Sequence, residues 1–477
     1  MIQKLEKCRQ SAAITKINAF LRTPGYIILM AALAAMGGVF ALDLWAYCAF
    51  ILVASYICLL GDDLLPLMPV AIFCYITPSR DNNPGKNPES IFYPEHGGMF
   101  LLALAAVLLV CLILRLATDK EIGRKAFFTA PRKLLPGMLL LSGAYLLSGI
   151  GLSNYAEIAG QNLLFALLQV AAVVALYYLF AGMVKWENAP KNYLAWLGMC
   201  TGFVVLAQLL GLYFSGTAFA PGTMVIDREN ISTGWGMHNN IGCLMATSIP
   251  FCFYLACKEK RGWVYNLLAI LLMIGVILSC SRSSMLLGGI GFAIGAGILL
   301  VRYDKGRKNL LIYGICAVTL AGVVVIFREK IFDLFGTFLS RDLTAVSSRD
   351  KLIINGFKQF LTQPVFGGSF FPQGEYVPWD FSTQEAFSSF FPPRWHNTII
   401  QVLASAGVVG IAAYGFHRFQ TAKLLLTNRS SEKTFIGIYM LVLLGASLLD
   451  CHFFNVGPVM LYSIALAFAE KIELSKV

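Results

Sequence analysis

The sequence predicts an all-α polytopic membrane protein, on three observations. Of its 477 residues 57% are apolar and only 13% charged, about half the charged share of a soluble protein, and the mean hydropathy is +0.69. Apolar runs of roughly 17 to 22 residues recur between short polar breaks, the length a helix needs to cross a hydrocarbon core of about 30 Å. Those breaks alternate in charge, as the loops of a membrane bundle do. A soluble globule, a disordered chain and a collagen-like chain are all excluded.

Residues 1–24 are expected to form a cytoplasmic amphipathic tail, with Ile2, Leu5, Ile14, Ile17, Phe20 and Leu21 set among Lys and Gln and lying on the inner leaflet. The tail is a poor cleavable signal peptide, because its basic stretch is long and many apolar segments follow. An uncleaved first span is the simpler reading. The apolar runs then cover 25–41, 45–60, 64–77, 98–117, 134–150, 160–183, 192–213, 239–257, 263–279, 284–301, 309–327, 397–415, 434–450 and 454–470. The third, at about 1.5 Å per residue, reaches only about 21 Å, so a re-entrant or broken segment at Pro66 and Pro69 brings the expectation to 12–14 transmembrane helices. Five regions follow: the tail, N-terminal transmembrane helices in 25–200, central ones in 201–327, an extracytoplasmic loop in 328–396, and C-terminal helices with a short cytoplasmic tail in 397–477.

The net charge of +11 is an orientation signal. Every second loop, beginning with the N-terminal tail, is basic, and together these segments hold 25 basic and 10 acidic residues against 11 and 14 in the alternate loops. By the positive-inside rule both termini face the cytoplasm, and no nucleic-acid partner is implied. The exception is the acidic Asp62-Asp63 turn. The twelve cysteines fall almost entirely in or beside spans, with no CxxC pair, which argues for packing and against a disulfide framework or a zinc site.

Polar chemistry concentrates in two long external segments, 214–238 and 328–395. Residues 366–395 carry ten aromatics: Phe366, Phe370, Phe371, Tyr376, Trp379, Phe381, Phe387, Phe390, Phe391 and Trp395. They read either as an interfacial belt or as a platform for sugar stacking. Arg394-Trp395-His396-Asn397 closes this loop and opens an apolar helix, placing the imidazole of His396 near a helix N-terminus, whose positive end disfavours the protonated form. His417, in a basic cytoplasmic stretch, reads as a solvated or headgroup-facing residue. Arg282 sits in a short Ser-Cys-Ser-Arg-Ser-Ser turn between two apolar spans, where a guanidinium is costly unless it meets an anion or snorkels. Arg349 precedes an amphipathic stretch of Leu352, Ile353, Ile354, Phe357, Phe360 and Leu361. Two arginines and a histidine can hold a diphosphate and take a proton from a hydroxyl.

These residues resemble the O-antigen ligase and polymerase superfamily over roughly residues 200 to 455. The matching features are His238-Asn239-Asn240-Ile241-Gly242 at the start of a span, the Ser-Arg-Ser turn at Arg282, Arg349 near the start of the long loop, Pro364 to Gly368 as Pro-x-x-Gly-Gly, His396-Asn397, and Gly407-Val408-Val409-Gly410. The resemblance implies a GT-C-like fold in a bacterial inner membrane, with its active site on the extracytoplasmic face. It implies metal-independent, inverting glycan transfer from an undecaprenyl-diphosphate-linked glycan donor to a glycan or lipid-glycan acceptor, with membrane lipid around it and no cofactor. His396, Arg282 and Arg349 match the family's catalytic residues: the arginines would neutralise the departing diphosphate and His396 would be the general base. No external DxD and no H-E-x-x-H is found. His238, Asn239, Arg228, Arg394 and Asn397 are expected substrate contacts, although Asn239 or Asn240 could simply cap a helix and Arg228, between Asp227 and Glu229, could simply be ion-paired. A transporter or flippase is the alternative class, and it would place charged or broken helices at the membrane midplane.

Overall fold

The computed structural model describes residues 9, 11–83, 87–119, 132–186, 189–302, 306–326, 328–329, 349–371 and 394–474. Within them the chain is helical and has no named strand, only two isolated bridges. Sixteen principal helices follow in order: α1 (Ala12–Leu21), α2 (Pro24–Val39), α3 (Asp43–Leu60), α4 (Leu67–Ile76), α5 (Gly98–Thr118), α6 (Leu135–Leu146), α7 (Tyr155–Met183), α8 (Tyr193–Phe214), α9 (His238–Lys258), α10 (Gly262–Leu278), α11 (Arg282–Arg302), α12 (Gly306–Ile326), α13 (Arg349–Thr362), α14 (Thr398–Leu426), α15 (Ser431–Leu449) and α16 (Val456–Leu474). Among the described residues nine are long and apolar enough to cross a membrane, or ten if the 72° bent pair α1 and α2 counts as one span. Each of the fourteen apolar runs forms a helix. The difference from the expected 12–14 spans comes from α4, α6 and α10, which are shorter than 18 residues, and from α16, whose end carries Glu470, Lys471 and Glu473.

The chain divides into two compact units. The first comprises Met1–Thr129, Met183–Asp342 and Phe435–Val442. Its axis is α9, which is 94% buried over its apolar window, whereas α5 is only 11% buried and presents its side chains outward. Outward apolar side chains are costly in water and favourable in lipid. Close approach to α9 relies on small residues: a Cβ on Gly242 would stand 2.6 Å from Ser279 Oγ and 2.9 Å from Ser281 Cβ. The acidic 62–63 turn also has its explanation here. Arg22 Nη2 lies 3.0 Å from Asp62 and 3.8 Å from Asp63, and Asp63 accepts the backbone N–H groups of Leu64, Leu65 and Lys185. Gln208 is likewise structural, donating to Ile76 O at 2.6 Å and accepting from Trp235 Nε1 at 2.8 Å.

The second unit comprises Ala130–Gly182, Leu343–Thr434 and Leu443–Val477. Its organising feature is a break in α14. Gly407 has φ +65° and ψ −156°, a left-handed conformation that glycine adopts without steric cost. The freed backbone is bonded to the Pro-x-x-Gly-Gly segment: Val408 N–H donates to Pro364 O at 2.9 Å, Val409 N–H to Val365 O at 3.2 Å, and Gly368 N–H to Ala404 O at 2.7 Å. Gly367, also left-handed at φ +74°, lies so close that a Cβ would reach 2.3 Å from Ser405 C. Two glycine motifs separated in sequence are therefore one joint. It fixes the first half of α14 against α13, whose Leu352 packs with Trp395, Ile400 and Ala404.

Two sequence expectations change in this unit. Phe370, Phe371 and Trp395 form neither a belt nor an open platform, because all three are buried. Phe370 packs against Tyr145, Phe165 and Phe454 with ring centroids 5.0 to 5.7 Å apart. Tyr376, Trp379, Phe381, Phe387, Phe390 and Phe391 lie outside the described residues. His417 is not solvated: it is fully buried within α14, with Nε2 2.7 Å from Tyr462 Oη. The neighbouring Arg418 stacks on Tyr414, Phe453 and Tyr462, so aromatic faces carry its charge.

Candidate active site

The candidate residues fall into two sets, one in each unit. In the first unit α10 ends at Leu278 and α11 begins at Arg282, so the intervening turn places Arg282 at a helix N-terminus, where an anion is favoured. Cys280 turns the chain with a left-handed φ of +56°. The serines around it tie the turn down: Ser281 Oγ donates to Asn239 Oδ1 at 3.1 Å and lies 2.8 Å from Ser284 Oγ. The Arg282 side chain itself is exposed. Asn239 is thus no cap. The helix starts at His238 after Met237, with no side-chain cap, and Asn239 spends its carbonyl on the Arg282 turn. His238, the first residue of α9, is buried.

Arg228 is ion-paired with Glu229 at 3.0 Å, as its acidic neighbours suggested. Its charge also reaches the Arg282 turn. The Cys280 thiol is pushed up to about 11 by burial, and the Arg228 charge and the Tyr213 hydroxyl act against that rise. The first unit therefore brings Arg228, His238, Asn239 and Arg282 around one pair of helix starts.

The second unit builds its set on the start of α14. Asn397 is the N-cap, its Oδ1 accepting from Ile399 N at 2.9 Å and Ile400 N at 3.1 Å, which satisfies two of the orphan donors of the first turn. Its Nδ2 donates to Leu448 O at 2.8 Å. His396 precedes the cap with φ +48°, a conformation that costs a non-glycine residue about 1–3 kcal/mol and marks a functional candidate. Its Nδ1 lies 3.2 Å from Asp450 Oδ1, at the residue following α15.

Asp450 belongs to no motif of the sequence and simply follows the last residue of α15. Burial alone would raise its pKa, but the His396 hydrogen bond, the charges of His452 and His396 and the Cys451 N–H together hold it well below the usual carboxylate range. The carboxylate is therefore ionised at neutral pH and oriented toward the imidazole. With Nδ1 turned to an acceptor, the neutral ring carries its proton there and its basic lone pair on Nε2, a tautomer assigned from the partner.

Arg394 is half-buried, with Nη2 donating to Phe454 O at 3.3 Å and its guanidinium carbon 5.9 Å from the Phe165 ring centre. Arg349 is the first residue of α13, the helix whose Leu352 packs on Trp395. Arg394, His396 and Asn397 thus share one helix start, and Arg349 opens the helix docked beside it.

Residues 267–415 match the family described as O-Antigen ligase. The matched segment runs from α10 into α14 and contains Arg282, Arg349, Arg394, His396 and Asn397. No curated protein matches the chain.

Proposed function

We propose, from the match of residues 267–415 to the O-antigen ligase family, that the chain is a member of the O-antigen ligase and polymerase superfamily and transfers glycan from an undecaprenyl-diphosphate-linked donor to a hydroxyl of a glycan or lipid-glycan acceptor. The observation that carries this reading is the contact between His396 and Asp450, 3.2 Å, at a left-handed residue beside a capped helix. A histidine oriented by a buried carboxylate is built to take a proton, a task worth about 10²–10⁴ in rate.

In the proposed reaction the acceptor oxygen attacks the anomeric carbon of the donor's reducing-end sugar. Nε2 of His396 takes the hydroxyl proton, the new glycosidic bond forms, and the bond from that carbon to the diphosphate oxygen breaks with inversion. Asp450 stabilises the resulting imidazolium without itself taking the proton. Arg282 and Arg349 neutralise the charge gathering on the leaving diphosphate. Arg228, His238 and Asn239 contribute around Arg282, and Arg394 and Asn397 beside His396. A lipid diphosphate already leaves well, so the reaction is proposed to be metal-independent.

The proposed setting is the bacterial inner membrane, with both termini cytoplasmic and the reaction on the extracytoplasmic side. The charge alternation of the loops supports that orientation. The test is a gel ladder of lipid-linked glycan incubated with purified protein. Growth of the lipid-linked chain would assign polymerisation, and its disappearance onto a second molecule would assign ligation. An unchanged ladder with folded protein would refute transfer.

A further inference from the structure

His396 is held in a conformation that a non-glycine residue leaves unless its neighbours are fixed. Asn397 is fixed from one side by its cap bonds and by Leu448 O. On the other side, Trp395 N–H donates to Gln401 Oε1 at 3.0 Å. The same oxygen accepts the Cys451 thiol at 3.5 Å, and Cys451 N–H in turn donates to Asp450 Oδ1 at 2.6 Å. Gln401 is itself immobilised, 1% exposed, with its own N–H on Asn397 O at 2.8 Å and Nε2 on Ser405 Oγ at 3.2 Å.

One amide oxygen therefore grips the residue before His396 and the residue after Asp450. We propose that Gln401 is a positioning residue that holds His396 and Asp450 in register. This rests on the reading of His396 as general base. An amide suits the task because two donors, one from each segment, converge on its oxygen while its NH₂ needs an acceptor; an apolar side chain would leave the buried Trp395 N–H without its partner, and an unmade buried hydrogen bond is destabilising. Losing the grip lets the imidazole drift from Asp450, and a displacement of about 1 Å at a catalytic group can cost about 100-fold in rate.

The test uses the full-length protein in lipid nanodiscs with an undecaprenyl-diphosphate-linked glycan. Gln401→Met should lower kcat about 10- to 100-fold with KM for the donor nearly unchanged. It should also move the acid limb of the pH–rate profile downward, because an imidazolium farther from Asp450 is less stabilised. Gln401→Glu keeps an acceptor oxygen and should recover most of kcat. Ser405→Ala, which removes the partner of the amide NH₂, should shift the limb in the same direction by less, and it carries the test if Gln401→Met does not fold. Wild-type kcat and acid limb in the folded Gln401 and Ser405 variants would overturn the proposal, as would lost activity with an unmoved limb. His396→Ala separates the two claims: full activity there refutes the base itself, whereas its inactivity beside unaffected Gln401 variants refutes only the positioning role.

Discussion

His396 Nδ1 stands 3.2 Å from Asp450 Oδ1 across 54 residues of sequence, joining the start of α14 to the end of α15. Because Asp450 is held below the usual carboxylate range, its folded-state pKa lies under the unfolded value of about 3.9. Its contribution to stability is present above that value and is lost only as pH falls through the lower folded one. The pair therefore persists through the range in which a histidine titrates. Asp450→Asn should lower transfer by about 10²-fold and move the acid limb of the pH–rate profile to lower pH. A profile identical to wild type would show that the contact does not serve the reaction.

Arg282 occupies an exposed position at a helix start, on a turn tied by Ser281 to Asn239. Arg282→Ala should cut transfer by about 10²-fold or more, while Arg282→Lys restores charge without the bidentate fork and should recover only part of it. Asn239→Ala should act more weakly, through the turn. Turnover and donor KM of the purified variants are the measurements.

Gly407 and Gly367 form the joint that fixes the first half of α14. Gly407→Ala would require a left-handed φ in an L residue and place its Cβ 2.4 Å from Val365 O. A destabilisation of about 1–3 kcal/mol is expected, read as a lower melting temperature in detergent with a parallel loss of transfer. A Gly415→Ala control, where nothing lies within 4 Å, should leave both unchanged.

The proposed chemistry relies on arginines at the leaving diphosphate and a lipid phosphate that departs readily. Transfer should accordingly persist in excess chelator. Loss of activity under chelation, restored by Mg²⁺, would assign the charge neutralisation to a divalent ion instead.

Hydropathy located all fourteen apolar helices because each backbone polar group in a bilayer must be satisfied locally, so a span is written as one continuous run. His396-Asn397 and the Arg282 turn were legible for a related reason: charge and imidazole at the rim of an apolar segment stand out. Asp450 was not, since an acid after a helix looks the same whether it faces solvent or a histidine far away in sequence. The two glycine motifs were visible, but their mutual backbone bonding was not, because hydrogen bonds between main-chain groups leave no side-chain pattern. His417 misled for the opposite reason: basic neighbours suggested exposure, while Tyr462 supplies its buried partner.

The most direct measurement of the central claim is single-turnover glycan transfer by purified His396→Ala against wild type, with equal folding verified by melting temperature. The proposed role of the imidazole predicts a loss of about 10²–10⁴-fold with donor still bound. Transfer at the wild-type rate would contradict it.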